Sequence, residues 1–112
     1  HTVITEQGGK VVFEVAAGEE FASLFPTGKA AIHQNHGLFT VGTTVEAAAY
    51  WFITMDRSCQ AQLLAEAAGT PKLISHEAAT YTQQLTGFAE AGWFQFQPLF
   101  QEICATDPDL FD

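Results

Sequence analysis

The stretch Ala30-Ala31-Ile32-His33-Gln34-Asn35-His36-Gly37-Leu38-Phe39-Thr40-Val41-Gly42-Thr43-Thr44-Val45-Glu46-Ala47-Ala48 decides how the rest of the sequence is read. Three consecutive apolar residues, Ala30 to Ile32, predict a strand covered on both faces. Asn35-His36-Gly37 breaks it. Leu38 to Val41 then alternates, with Leu38 and Thr40 opposed to Phe39 and Val41, the period of a second strand. Thr43 is the expected N-cap of a helix, with Glu46 three residues on completing a capping box in which each satisfies an orphan backbone donor. The helix is expected from Thr44 to Ala68. Gly69 would supply a left-handed residue past its end, and Pro71 would prevent continuation. Val45, Ala48, Ala49, Phe52, Cys59, Leu63 and Ala67 mark one buried face. Tyr50, Trp51, Ile53 and Met55 widen it, so the helix is expected to be sandwiched between a sheet and a further element or subunit.

Toward the N-terminus, Thr2 to Thr5 and Val11 to Val15 are β-branched runs around Gln7-Gly8-Gly9-Lys10, which reads as a hairpin. Gly18 to Phe25 reads as a short helix, with Phe21, Leu24 and Phe25 on one face and Glu19 and Glu20 in the first turn, where the macrodipole favours them. Toward the C-terminus, Ser75 is the expected cap of a helix from His76 to Leu85 with Ala78, Tyr81, Thr82 and Leu85 inward, ended by Gly87. Trp93 to Phe100 is dense in aromatics and helical near its end, with Pro98 starting or kinking that helix. Asp107 to Asp112 reads as a frayed acidic tail. These alternating strands and helices place the chain in the α/β class.

Composition bounds the function. The 112 residues carry four basic and thirteen acidic side chains, a net charge of −9, and 47% of them are hydrophobic. Lys10, Lys29, Arg57 and Lys72 are scattered, so no cationic face exists for nucleic acid or an anionic membrane. No run of about 18 apolar residues is present to span a bilayer. Two cysteines, Cys59 and Cys104, are no disulfide framework and imply a reducing, cytoplasmic setting. The chain opens on His1 without Met and runs straight into a strand-like segment, which suggests that it begins within a fold.

Candidate chemistry is sparse. His33 and His36 form an H-x-x-H pair, which on a helix would share a face. On a strand, residues i and i+3 point to opposite faces. This stretch reads as a strand entering a turn, so the two are not expected to bind one metal. Cys59 and Cys104 lie away from helix N-termini and read as packing thiols. No nucleophile elbow, P-loop or dinucleotide fingerprint occurs. The Trp93 to Phe100 aromatics read as core or subunit interface.

The block from Ala30 to Ala48 resembles the class II aldolase/adducin family, whose members carry an apolar strand, N-H-G, a short strand and V-G-x-[ST] opening a long helix. The likeness continues through Met55-Asp56-Arg57-Ser58-Cys59-Gln60-Ala61-Gln62-Leu63 and, more weakly, from Trp93 to Asp109. The resemblance implies part of a three-layer α/β/α domain, with a few strands, one long helix and two or three shorter ones. It also implies that His36 is one of three histidines holding a divalent metal, zinc by family habit and iron as the alternative. The other two belong to an H-x-H pair that does not occur here, and no acid/base residue is matched. Residues 1–112 therefore look like the C-terminal portion of the domain, inactive as an isolated chain because a catalytic zinc normally takes three protein ligands.

The function so implied is a metal-dependent enzyme acting on a small hydroxy-carbonyl compound, by C–C cleavage or epimerisation through an enediolate, in a homo-oligomer, by resemblance a tetramer. Gln34 and Cys59-Gln60-Ala61-Gln62 look closer to non-sugar members, which keeps open an iron-dependent oxygenase or decarboxylase. A non-catalytic, adducin-like interaction or oligomerisation module is the third reading. Retention of His36 argues against it.

Overall fold

β2 (Ala30–His33) is the middle strand of a three-stranded sheet. The computed structural model describes residues 1–5 and 11–112. The chain divides into two units, His1–Val41 and Gly42–Asp112.

In the first unit β1 (Thr2–Ile4) runs parallel to β2, with Thr2 opposite Ala31 and Ile4 opposite His33. β3 (Gly37–Thr40) runs antiparallel on the other edge, with Ala30 opposite Thr40 and His33 opposite Gly37. The ladders extend one step past the strands, because Gln34 N–H donates to the Ile4 carbonyl (2.9 Å) and Val41 N–H to that of Lys29 (3.0 Å). The sheet buries Ile4, Ala30, Ala31 and His33. Three of these lie on β2, as expected of a strand covered on both faces.

The hairpin expected from Thr2–Thr5 and Val11–Val15 is not formed. Its turn residues lie outside the described residues, but β1 pairs with β2, and Val11 to Phe13 have no regular structure. A β-branched run becomes a strand only where an edge accepts it. The parallel pairing instead needs a crossover, and α1 (Val15–Ser23) lies between the two strands in sequence. α1 starts three residues before the expected Gly18, so Glu19 and Glu20 fall in its second turn and the first has no acidic residue. Phe21, Leu24 and Phe25 are half-buried, as their spacing predicted.

The second unit is helical. α2 (Val45–Ala68) is capped by Thr44, not Thr43: the Thr44 hydroxyl accepts from Ala47 N–H at 3.1 Å. The one-residue shift puts Ala47 three residues past the cap, and no capping box with Glu46 results. Gly69 ends the helix at φ 152°, ψ −160°, an extended mirror-image conformation open to glycine rather than the left-handed helical one.

α3 (His76–Thr86) has the expected cap, with the Ser75 hydroxyl accepting from Ala78 N–H at 3.1 Å. Its anticipated inward face is exposed, Tyr81 at 64% and Leu85 at 57%, because no described element packs extensively on it. α4 (Ala89–Thr106) continues past Pro98 instead of starting there. Gln97 Nε2 donates to the Trp93 carbonyl (3.0 Å) in the turn where Pro98 supplies no N–H. Pro108–Phe111 form a 3₁₀ turn rather than a frayed tail, and Phe111 meets the Phe100 ring edge-on at 6.3 Å.

α2 packs on α4. The helices approach closely at Gly92, where a Cβ would lie 2.8 Å from Trp51 Cε2. From Gln60 onward α2 is exposed. No helix of the described residues is long and apolar enough to cross a membrane.

Candidate metal-ligand site

β2 ends at His33, and Gln34 to His36 turn the chain back into β3. The turn closes with His36 N–H donating to the His33 carbonyl at 3.0 Å. Asn35 adopts φ 59°, a left-handed conformation that asparagine tolerates better than most side chains. Gly37 follows at φ 156°, where other L residues are rare.

This turn overturns the expectation that His33 and His36 face opposite sides. The alternation rule holds only while the backbone stays extended. Left-handed Asn35 interrupts it, and the two imidazoles stack with centroids 5.2 Å apart and planes 24° apart. Phe39 stacks on the His36 ring at 5.4 Å and 25°. Phe39 pairs with Ala31 across the sheet, on the face that His33 shares. Phe21 reaches this face from α1 and lies 5.3 Å from the His33 ring and 5.1 Å from Phe39. His33 is only 2% exposed, whereas His36 is exposed. A pocket of about 340 Å³ is lined by Val11, Val12, Phe21, His33, His36 and Phe39.

Among the described residues the pocket walls are apolar and aromatic, with two imidazoles as their titratable groups and no Lys or Arg. As a donor set it is partial. No group of three or more His, Cys, Asp or Glu side chains that could hold a metal occurs among the described residues. An accessible imidazole at a strand end can add one nitrogen ligand to ligands from elsewhere. It cannot hold a catalytic cation alone. Cys59 and Cys104 are free and half-buried on α2 and α4. On α4, Trp93 (43%), Phe94 (68%) and Phe100 (39%) remain exposed. Family resemblance singled out His36, and sequence spacing missed the ring stack around it. The signal was Asn35 before His36-Gly37, a residue suited to the left-handed position that brings the imidazoles together.

Comparison with known proteins agrees with this hairpin-to-helix layout. The model of the "Class II Aldolase and Adducin N-terminal domain" matches residues 3–63. The chain is 45% identical over 93 residues to "Decarboxylase NovR" of Streptomyces niveus, covering 83% of this chain and 34% of that protein. It is 41% identical over 110 residues to "4-hydroxy-3-prenylphenylpyruvate oxygenase/4-hydroxy-3-prenylbenzoate synthase" of Streptomyces roseochromogenus subsp. oscitans, covering 98% of this chain and 39% of that one. Among solved structures it matches L-fuculose 1-phosphate aldolase from Glaciozyma antarctica, with a TM-score of 0.79 and 38% identity, over 96% of this chain and 40% of that one. The chain thus spans little more than a third of the length of the curated relatives it matches.

Proposed function

This chain belongs to the class II aldolase and adducin family, and from that premise we propose that it forms the C-terminal portion of the catalytic domain of a metal-dependent enzyme. The enzyme acts on a small hydroxy-carbonyl compound by C–C cleavage or epimerisation. The observation that carries this reading is the exposed His36 imidazole, fixed on the β2–β3 turn at the rim of an apolar pocket. His36 contributes one nitrogen ligand, and the remaining donors lie outside the described residues. A divalent cation held there, zinc first and iron second, would supply Lewis-acid polarisation of a substrate carbonyl. The chain's own part is to present one donor, to shape the pocket with Val11, Val12, Phe21 and Phe39, and to keep water off its apolar walls. The working state is a homo-oligomer in the cytoplasm, in keeping with two free thiols.

A second reading, iron-dependent oxygenase or decarboxylase on the same scaffold, is favoured by one specific observation. Among the described residues the pocket offers aromatic and aliphatic walls without Lys or Arg, which suits a hydrophobic substrate better than a phosphorylated sugar. The names of the two Streptomyces relatives, a decarboxylase and a prenylphenylpyruvate oxygenase, point the same way.

The test is metal analysis of the purified full-length protein, followed by turnover assays. L-fuculose 1-phosphate would serve as the aldolase substrate and 4-hydroxy-3-prenylphenylpyruvate as the oxygenase substrate. Cleavage of the first supports the lyase reading, and dioxygen-dependent loss of carbon dioxide from the second supports the alternative. Failure to bind any divalent metal would refute both.

A further inference from the structure

We propose that His33 is a positioning residue for His36: its buried imidazole is the platform that sets the plane of the His36 ring for metal binding. The proposal rests on the reading of His36 as a donor and adds a role that neither motif nor spacing assigns.

An exposed imidazole at the end of a turn has two side-chain rotors, and a ligand that must be ordered on binding loses affinity to that ordering. The His36 ring is not left to rotate freely. It lies nearly parallel to His33 at 5.2 Å and to Phe39 at 5.4 Å, with interplanar angles of 24° and 25°. Offset, near-parallel rings at such separations attract.

Of these two neighbours, His33 is the better anchored. It is 2% exposed, it sits on the middle strand of the sheet, and Phe21 and Phe39 tilt against it at 53° and 48°. Phe21 and Phe39 also touch each other. The result is a three-ring base on which the accessible fourth ring lies. A leucine at position 33 would fill similar space but offer no flat face. A phenylalanine would keep the face and remove the ring nitrogens.

The experiment uses metal-stripped full-length protein. Zn²⁺ affinity is measured by competition with a chromophoric chelator, and His36 ring-proton shifts are read by NMR in the absence of metal. For His33→Leu we expect a loss of about 10-fold in affinity, the lower end of what removing a group that orients a ligand costs. Its His36 ring-proton shifts should move toward free-histidine positions as one ring current is lost. His33→Phe should restore both readouts to near the parent.

Leu24 is half-buried at the end of α1 and belongs to neither the pocket lining nor the ring stack, so Leu24→Ala serves as the packing control and should leave Zn²⁺ affinity within about 3-fold, well short of the loss for a ligand-orienting group. If His33→Phe fails as badly as His33→Leu, the ring nitrogens and not the stack matter, and the proposal falls. An equal loss in Leu24→Ala would reduce His33 to ordinary packing. Unchanged affinity in His33→Leu, with affinity abolished in His36→Ala, would overturn the platform and leave the donor reading intact. Retention of Zn²⁺ by His36→Ala would remove the donor reading and this proposal together.

Discussion

The sheet unit, His1–Val41, and the helical unit, Gly42–Asp112, draw on one apolar-rich sequence and use it differently. The sheet unit is short in regular structure, yet it buries Ile4, Ala30, Ala31 and the polar His33, and it gathers four rings on one face. The helical unit has long, locally well-specified helices but buries only Ala47, Ala91 and Gly92. Leu63, Leu64, Leu73, Ile74 and Tyr81 stay exposed. Strands require partners, so β1–β3 pack wherever they exist. Helices satisfy their own backbone, so α2 and α3 can be complete with an open face. Local order and tertiary burial are thus separable, and the candidate chemistry sits in the unit that buries more of its side chains.

The largest effect expected from breaking this contrast lies in the sheet unit. His36→Ala should lower divalent-metal affinity by more than about 100-fold, beyond the cost of losing an orienting group. Because His36 is exposed, the same change should move the melting free energy by less than about 0.5 kcal/mol. Metal titration and a thermal melt of the full-length protein check the pair, and a large stability loss would make His36 a packing residue instead.

In the helical unit Gly42 has no room for a side chain. A Cβ there would meet Ala48 N at 2.6 Å and Ala47 Cβ at 2.9 Å, and backbone cannot yield as a side chain can. Gly42→Ala should destabilise by about 2–3 kcal/mol, the upper range for overpacking. Gly92→Ala sets helix propensity, a gain of about 1 kcal/mol, against a clash with the Trp51 ring costing about 1–3 kcal/mol. We expect a net loss of about 1 kcal/mol in denaturant unfolding from that balance. A stabilised Gly92→Ala would mean that α2 and α4 do not meet there.

The smallest effect discriminates most finely. Thr44→Ala should cost about 1 kcal/mol as a lost N-cap, and Thr43→Ala less than about 0.5 kcal/mol. Equal losses would return the cap to a shared or shifted position.

Elements whose determinants are local were legible in the sequence. Ser75 and Gly87 bracket α3 as read, α2 ends at Ala68, and the β2–β3 hairpin falls where Asn35-His36-Gly37 breaks the apolar run. Where the reading failed, the cause was a partner at a distance. Val11 to Phe13 have strand composition, yet they have no regular structure, and β1 takes β2 as its partner. The face of α3 with Tyr81 and Leu85 has core spacing but nothing extensive on it. Thr43 and Thr44 are chemically equal caps, so sequence alone left a one-residue ambiguity, and the capping box went with it.

His36 was legible as a candidate through family likeness to its N-H-G motif. Its neighbours were not, because two-residue periodicity assumes an unbroken strand and Asn35 at φ 59° breaks it. Family membership and the α/β fold stand on residues 3–63 and on the fuculose-aldolase neighbour.

The β2–β3 turn also has a kinetic meaning. His33 faces Gly37 across only three turn residues, whereas β1 reaches β2 only by closing the chain from Ile4 to Ala30. Loop-closure entropy rises with the length enclosed, and short-range pairs form before long-range ones. The local geometry that aims His36 is therefore assembled at little entropic cost, in a segment that need not wait for β1 to find its place.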